Sequence, residues 1–138
     1  MFKRIIIIPI LILSITCSLC ACGLFSQDVH IEDAKIVTAV DENFMPVAIA
    51  DIFPKGTARI SCWIKWRDSR INAQLVAKWH YVTDDIHIID RLFTIPKKEG
   101  SGSVTLAMPE GKDLPAGSYK VDLVSNNRTL RSLKFKVE

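Results

Sequence analysis

Two histidines, His80 and His87, flank the turn-forming run Thr83-Asp84-Asp85. If that turn closes so that they face each other, two imidazole nitrogens share one side of a hairpin. Such a pair can begin a zinc or copper site, but a site needs three or four ligands and an ordered second shell. Asp85 or Asp90 supplies a third donor only in a favourable register, because a one-residue slip sends the histidines to opposite faces. The plainer expectation is a pair of exposed strand histidines, with no metal and no cofactor.

Nucleophilic chemistry is harder to build. There is no Gly-x-Ser-x-Gly elbow. Gly100-Ser101-Gly102-Ser103 has the glycines, but it follows Pro96-Lys97-Lys98-Glu99 and reads as a flexible loop ahead of a strand. Asp84 and Asp85 are adjacent acids at a turn tip, where carboxylates are normally solvated. Cys62 sits in an alternating apolar pattern and reads as a small buried hydrophobe. Neither a glycine-rich phosphate loop nor calcium-loop spacing occurs. No catalytic residues are assigned; a hydrolase is the least favoured reading.

Binding features are better represented. Trp63 falls on the strand face opposite the apolar positions, flanked by Arg59, Lys65 and Arg67. Trp beside Arg is enriched at interaction hot spots, so Trp63, Arg59 and Lys65 are the candidate partner-binding residues. Trp63 could meet a protein or stack on a sugar. The competing expectation is that residues 44–54 cover Trp63, or that both faces of its strand are buried. Lys134 and Lys136, beside Arg128 and Arg131, could touch lipid headgroups or simply protect an edge strand from aggregation.

The elements that position these residues read as strands and turns. Residues 57–66 alternate, with Ala58, Ile60, Cys62, Ile64 and Trp66 on one face. Period-two alternation of this length argues for a half-buried strand. The same pattern predicts strands over 73–81, 86–95, 103–108, 118–124 and 130–137, and a first strand over 34–40. Residues 44–54, with two prolines, read as an irregular edge segment. No stretch sustains a helical period with caps.

About seven short strands in some hundred residues is the pattern of an all-β antiparallel sandwich. Trp79 in the third full strand and Leu114-Pro115-Ala116-Gly117-Ser118-Tyr119-Lys120-Val121 resemble the immunoglobulin-like type. There a Trp is often buried, and a corner tyrosine hydroxyl bonds back to the backbone. The cysteine pair of antibody domains is absent, so the resemblance implies architecture alone.

The N-terminus carries a different signal. Lys3 and Arg4 precede a largely apolar run over residues 5–15, which leads to Leu19-Cys20-Ala21-Cys22-Gly23. Positive start, apolar stretch and small residues at a cut are the parts of an export signal. The segment resembles the signal peptide of a bacterial lipoprotein, with Leu three residues before the cysteine and Ala just before it. The resemblance implies cleavage before Cys22 and lipid on Cys22. Cys17 and Cys20 match the box poorly. The implied organisation is a signal peptide over 1–21, a lipidated cysteine and short tether over 22–28, and an immunoglobulin-like sandwich over 29–138. Gly23 in place of Asp implies the periplasmic face of the outer membrane in a two-membrane host. The rival is an uncleaved anchor in the inner membrane, because no charge occurs between Arg4 and Asp28.

Of 18 Lys+Arg, Lys3 and Arg4 fall in the signal, which leaves 16 against 15 Asp+Glu. A mature charge near +1 gives no reason to expect nucleic acid. With Cys62 as the one thiol besides Cys22, the domain has no internal disulfide and depends on an apolar core. The expected function is a membrane-anchored, non-enzymatic binding or assembly module for another envelope component, with an envelope protein as the expected partner. The alternative is a small-ligand module for carbohydrate or metal.

Overall fold

A computed structural model describes residues 28–138; the expected signal peptide, Cys22 and most of the expected tether lie outside the described residues. Nine strands follow one another: β1 (His30–Val40), β2 (Pro46–Ile49), β3 (Ile52–Phe53), β4 (Arg59–Arg67), β5 (Gln74–Tyr81), β6 (Ile86–Thr94), β7 (Gly100–Ala107), β8 (Gly117–Ser125) and β9 (Arg128–Val137). They form two sheets, ordered β2-β1-β4-β7 and β3-β9-β8-β5-β6. All pairs are antiparallel except β3 with β9. Among the described residues no helix is long and apolar enough to cross a membrane.

The seven strands expected from alternation are present, and the two additional ones, β2 and β3, come from the segment expected to be irregular. Its prolines and broken alternation hide them. Pro46 is tolerated because β2 is an edge strand, where a missing N–H costs no ladder bond.

The inward faces follow the sequence pattern. Ile60, Cys62, Ile64 and Trp66 of β4 meet Leu75, Ala77 and Trp79 of β5 and Tyr119, Val121 and Leu123 of β8, all buried. Phe135 organises the aromatic part of this core. It stacks on Tyr119 at 5.0 Å and meets Trp79 and Phe53 edge-on at 6.1 and 5.9 Å. Offset and edge-to-face pairs of this kind add about 0.5–1.5 kcal/mol each beyond the area they bury.

Local chemistry fixes the ends of the elements. The Tyr119 hydroxyl donates to the Pro115 carbonyl, four residues upstream, forming the corner that the resemblance implied. Asn126 and Asn127 both have positive φ, 51° and 61°, and close the β8–β9 hairpin as a two-residue turn. Asparagine tolerates this conformation better than most residues.

Gly100-Ser101-Gly102, expected as a flexible loop, is instead part of β7, with Gly100 opposite Trp66 and Gly102 opposite Ile64. The glycines are required by packing. A Cβ on Gly102 would lie 2.9 Å from the Phe93 ring, and one on Gly100 would lie 3.0 Å from Trp66. Trp66 and Phe93 themselves meet at 5.4 Å, and Trp66 Nε1 donates to the Lys97 carbonyl at 2.9 Å. Trp79 is as deeply buried, yet its Nε1 has no acceptor.

Candidate binding surface

The outer face of the first sheet is not open. β1 pairs with β4 only as far as Val37 opposite Ser61, while β1 and β2 stay paired out to Val40 and Pro46. Beyond Val37 the hairpin leaves the plane of the sheet and folds back over it. Asp41 shapes the turn: its Oδ1 accepts from the Asn43 and Met45 amides at 2.8 and 3.0 Å. Its backbone N–H donates to the Met45 carbonyl, and its carbonyl accepts from the Phe44 N–H. Asp is suited to such side-chain-to-backbone turns.

The turn seats the Phe44 carbonyl over Trp63 and β7. It accepts from Trp63 Nε1 and, at 3.3 Å, from Ser101 Oγ. Trp63 is consequently only 3% exposed. The expectation of an open-face Trp63 is therefore corrected in favour of cover by the segment from Phe44 onward. A ring so enclosed offers no face for a sugar. Arg59 and Lys65 remain exposed, and Lys65 Nζ lies 3.8 Å from Glu32 Oε2. The three residues do not make one open patch.

What the fold-back exposes is apolar. Phe44, Met45, Val47, Ile49 and Ile52 each show about half of their surface, Phe44 the most at 57%. They occupy one continuous stretch in which the chain passes from the edge of one sheet to the edge of the other. Ala50 N–H donates to Ile36 O, and Lys136 N–H donates to Asp51 O, which fastens the crossing to both sheets. A ridge thus runs from Phe44, over the outer face of the first sheet, to the shared β2–β3 edge. Lys35 and Lys134 flank it around a depression of about 430 Å³ that also includes Ile49, Ala50 and Leu133. Sequence reasoning did not single out this ridge. Its signal was present: residues 43–50 carry no charge.

The histidine pair is positioned by β5 and β6. His80 and His87 are direct cross-strand partners next to a register shift at Trp79/His80. His80 Nε2 lies 2.9 Å from Asp85 Oδ1, and His87 Nε2 lies 3.3 Å from Asp90 Oδ1. Each ring thus faces its own carboxylate. Among the described residues no group of three or more His, Cys, Asp or Glu is placed to hold a metal ion. Asp84 and Asp85 sit in the exposed turn between the two strands. Cys62 is buried in the core, and burial pushes its thiol up to about 12.

Comparison with known proteins bears on the architecture. No family model matches the chain, and no curated protein matches it. An immunoglobulin-like protein from Pseudomonas aeruginosa superposes with a TM-score of 0.53 at 11% identity, over 80% of this chain and 96% of that one. The described domain is an immunoglobulin-like β-sandwich. At such low identity the likeness is one of fold. An alkylpurine DNA glycosylase from Pseudomonas fluorescens, bound to DNA with an abasic-site analogue, gives a TM-score of 0.45 at 15% identity. The match takes in 82% of this chain and only 31% of the glycosylase.

Proposed function

We propose that the chain is a cell-envelope lipoprotein, anchored through Cys22, whose immunoglobulin-like sandwich is a non-enzymatic binding or assembly module. The observation that carries the binding role is the ridge over residues 44–52, where five large apolar side chains stand half-exposed. Contiguous exposed apolar surface marks an interaction site more often than a scatter of single residues does. The motif at residues 19–23 supports the address, and the short stretch from Cys22 to Asp28 supports a domain held close to its membrane.

Two measurements in the native host test this reading. Mass spectrometry of the mature N-terminus is expected to find Cys22 as the first residue, carrying acyl chains. Crosslinking pull-down from membranes is expected to recover envelope components with the wild type and to lose them with Cys22→Ala. A free, unmodified N-terminus beginning elsewhere overturns the address. Recovery that is the same for wild type and Cys22→Ala overturns the anchored module.

A further inference from the structure

We propose that the ridge over residues 44–52 lies against the lipid surface itself, so that the domain rests on its β2–β3 edge at the headgroup–acyl boundary. The proposal rests on the lipoprotein reading above and names the component that its binding face meets.

The backbone of the ridge is the first argument. Among the described residues, seven other than glycine have positive φ. Five are Asp or Asn in turns: Asp68, Asp85, Asn72, Asn126 and Asn127. The other two are Phe44 at 56° and Ala48 at 55°, and both lie in the ridge. Left-handed backbone is unfavourable for residues with a Cβ, and for a bulky ring it is a true outlier. The strain serves a direction. It turns the Phe44 carbonyl inward, onto Trp63 and Ser101, and leaves the Phe44 ring facing solvent. Stability alone would place glycine or asparagine there. Strained positions that persist are drawn to functional sites.

Composition is the second argument. The ridge combines an aromatic ring, a methionine and aliphatic side chains with lysines whose ammonium groups end long apolar stems; its one acid, exposed Asp51, stands between Ile49 and Ile52. Lys134 and Lys136 of β9 are exposed, and none of the ion pairs among the described residues includes either. Aliphatic and aromatic groups rimmed by lysine suit an interfacial position, where the stems bury and the charges meet anionic headgroups. The opposite edge lacks this character. In β6 the exposed Ile86 and Leu92 are separated by His87, Asp90 and Arg91, all exposed.

Reach is the third argument. Asp28 is pinned to the β4–β5 and β8–β9 turns, with Oδ2 accepting from Arg70 and Asn126, both at 2.9 Å. Five residues separate Cys22 from Asp28, and the six steps between them span at most about 20 Å. Phe44 touches Trp63, four residues up β4 from Arg67, which is the partner of His30. Four strand residues measure about 13 Å. Ile49, opposite Val37, lies seven residues along β1 from His30, about 23 Å. The tether thus reaches the Phe44 end of the ridge, and contact along the whole length of the ridge lays β1 parallel to the membrane.

The test uses the mature, lipid-modified chain purified from host membranes, after mass spectrometry has confirmed acylated Cys22. Ile49→Cys and Leu92→Cys are each labelled with an environment-sensitive fluorophore; buried Cys62 stays unlabelled in the folded protein. The proteins are reconstituted into vesicles of phosphatidylcholine and phosphatidylglycerol that contain quencher-bearing lipid. The expected result is quenching at position 49 several-fold stronger than at position 92, reduced when Lys134→Glu and Lys136→Glu are added. Equal or absent quenching at the two positions on an acylated chain overturns the ridge proposal and leaves the lipoprotein reading intact. Copy-to-copy crosslinking through position 49 without lipid quenching also overturns it, assigning the ridge to a dimer. Absence of acylation at Cys22 overturns the reading beneath it.

Discussion

Trp63 Nε1 donates to the carbonyl of Phe44, 19 residues earlier in the chain, and this bond holds the β1–β2 hairpin over the outer face of the first sheet. It buries an indole that alternation alone assigns to solvent, and it turns a phenyl ring outward. The two residues exchange the environments that their side chains would otherwise take.

That exchange has measurable energetics. Trp63→Phe removes the donor, and a typical hydrogen bond contributes about 0.5–1.5 kcal/mol net. The expected loss is about 1–2 kcal/mol, with faster hydrogen exchange at the Asp41 and Phe44 amides. Phe44→Gly relieves the left-handed backbone while removing an already exposed ring. Chemical denaturation is expected to show it neutral or stabilising, by up to about 1 kcal/mol. A loss above that range would mean that the ring contributes to the fold.

Trp66 and Trp79 are equally buried but differently satisfied, so the same substitution separates them. Trp66→Phe forfeits a bond to the Lys97 carbonyl as well as volume, whereas Trp79→Phe removes a donor that has no acceptor. A buried unpaired polar group costs about 1–3 kcal/mol, which offsets part of the void left by the smaller ring. Trp79→Phe is expected to be the milder change by at least about 1 kcal/mol in urea unfolding. The reverse order would show that Trp79 Nε1 is satisfied in solution.

Much of the sandwich is legible in the chain because one residue in two is apolar where a strand has one buried face. That logic locates β1 and β4 to β9 to within a few residues, and Tyr119 takes its corner. It fails where a strand is buried on both faces, as β4 is at Trp63. It fails again where burial is produced by an element that alternation does not describe. Residues 44–54 carry two prolines and two left-handed residues without glycine, so neither β2 nor the fold-back has a local signature. Gly100 and Gly102 have one reading as a loop and another as clearance for Trp66 and Phe93, and only the packed sheets distinguish them. Cross-strand pairing of His80 with His87 was legible as a possibility of register, and the register is the one that pairs them.

Alkaline pH is expected to destabilise the domain through two buried acids. Burial raises Cys62 from 9.0 to about 12. Burial, and then the neighbouring Tyr81, raises Tyr119 from 10.0 to about 12. Both groups are neutral when protonated. Between pH 9 and 12 the unfolded chain releases protons that the fold retains, so stability falls as pH rises through that window. Below pH 9 their contribution is complete and flat. Thermal melts of Cys62→Ala should decline less between pH 9 and 10, and those of Tyr119→Phe less above pH 10. Identical slopes in all three proteins would contradict the assignment.

Zinc separates the binding-module reading from a metal site at the β5–β6 hairpin. His80 and His87 supply two nitrogens, and a protein zinc site draws on at least three ligands. The melting temperature is expected to be unchanged by zinc in modest excess over protein. A rise that His80→Ala abolishes would install the metal reading in place of this one.

The most direct test of an anchored module with its binding face on residues 44–52 is photo-crosslinking in membranes of the native host. A photoreactive residue is placed at Ile49, on the ridge, or at Leu92, which is 60% exposed on the opposite edge. The account expects adducts to envelope lipid or protein that concentrate at position 49 and vanish with Cys22→Ala. Adducts of equal yield from both edges, or undiminished without the anchor, would contradict it.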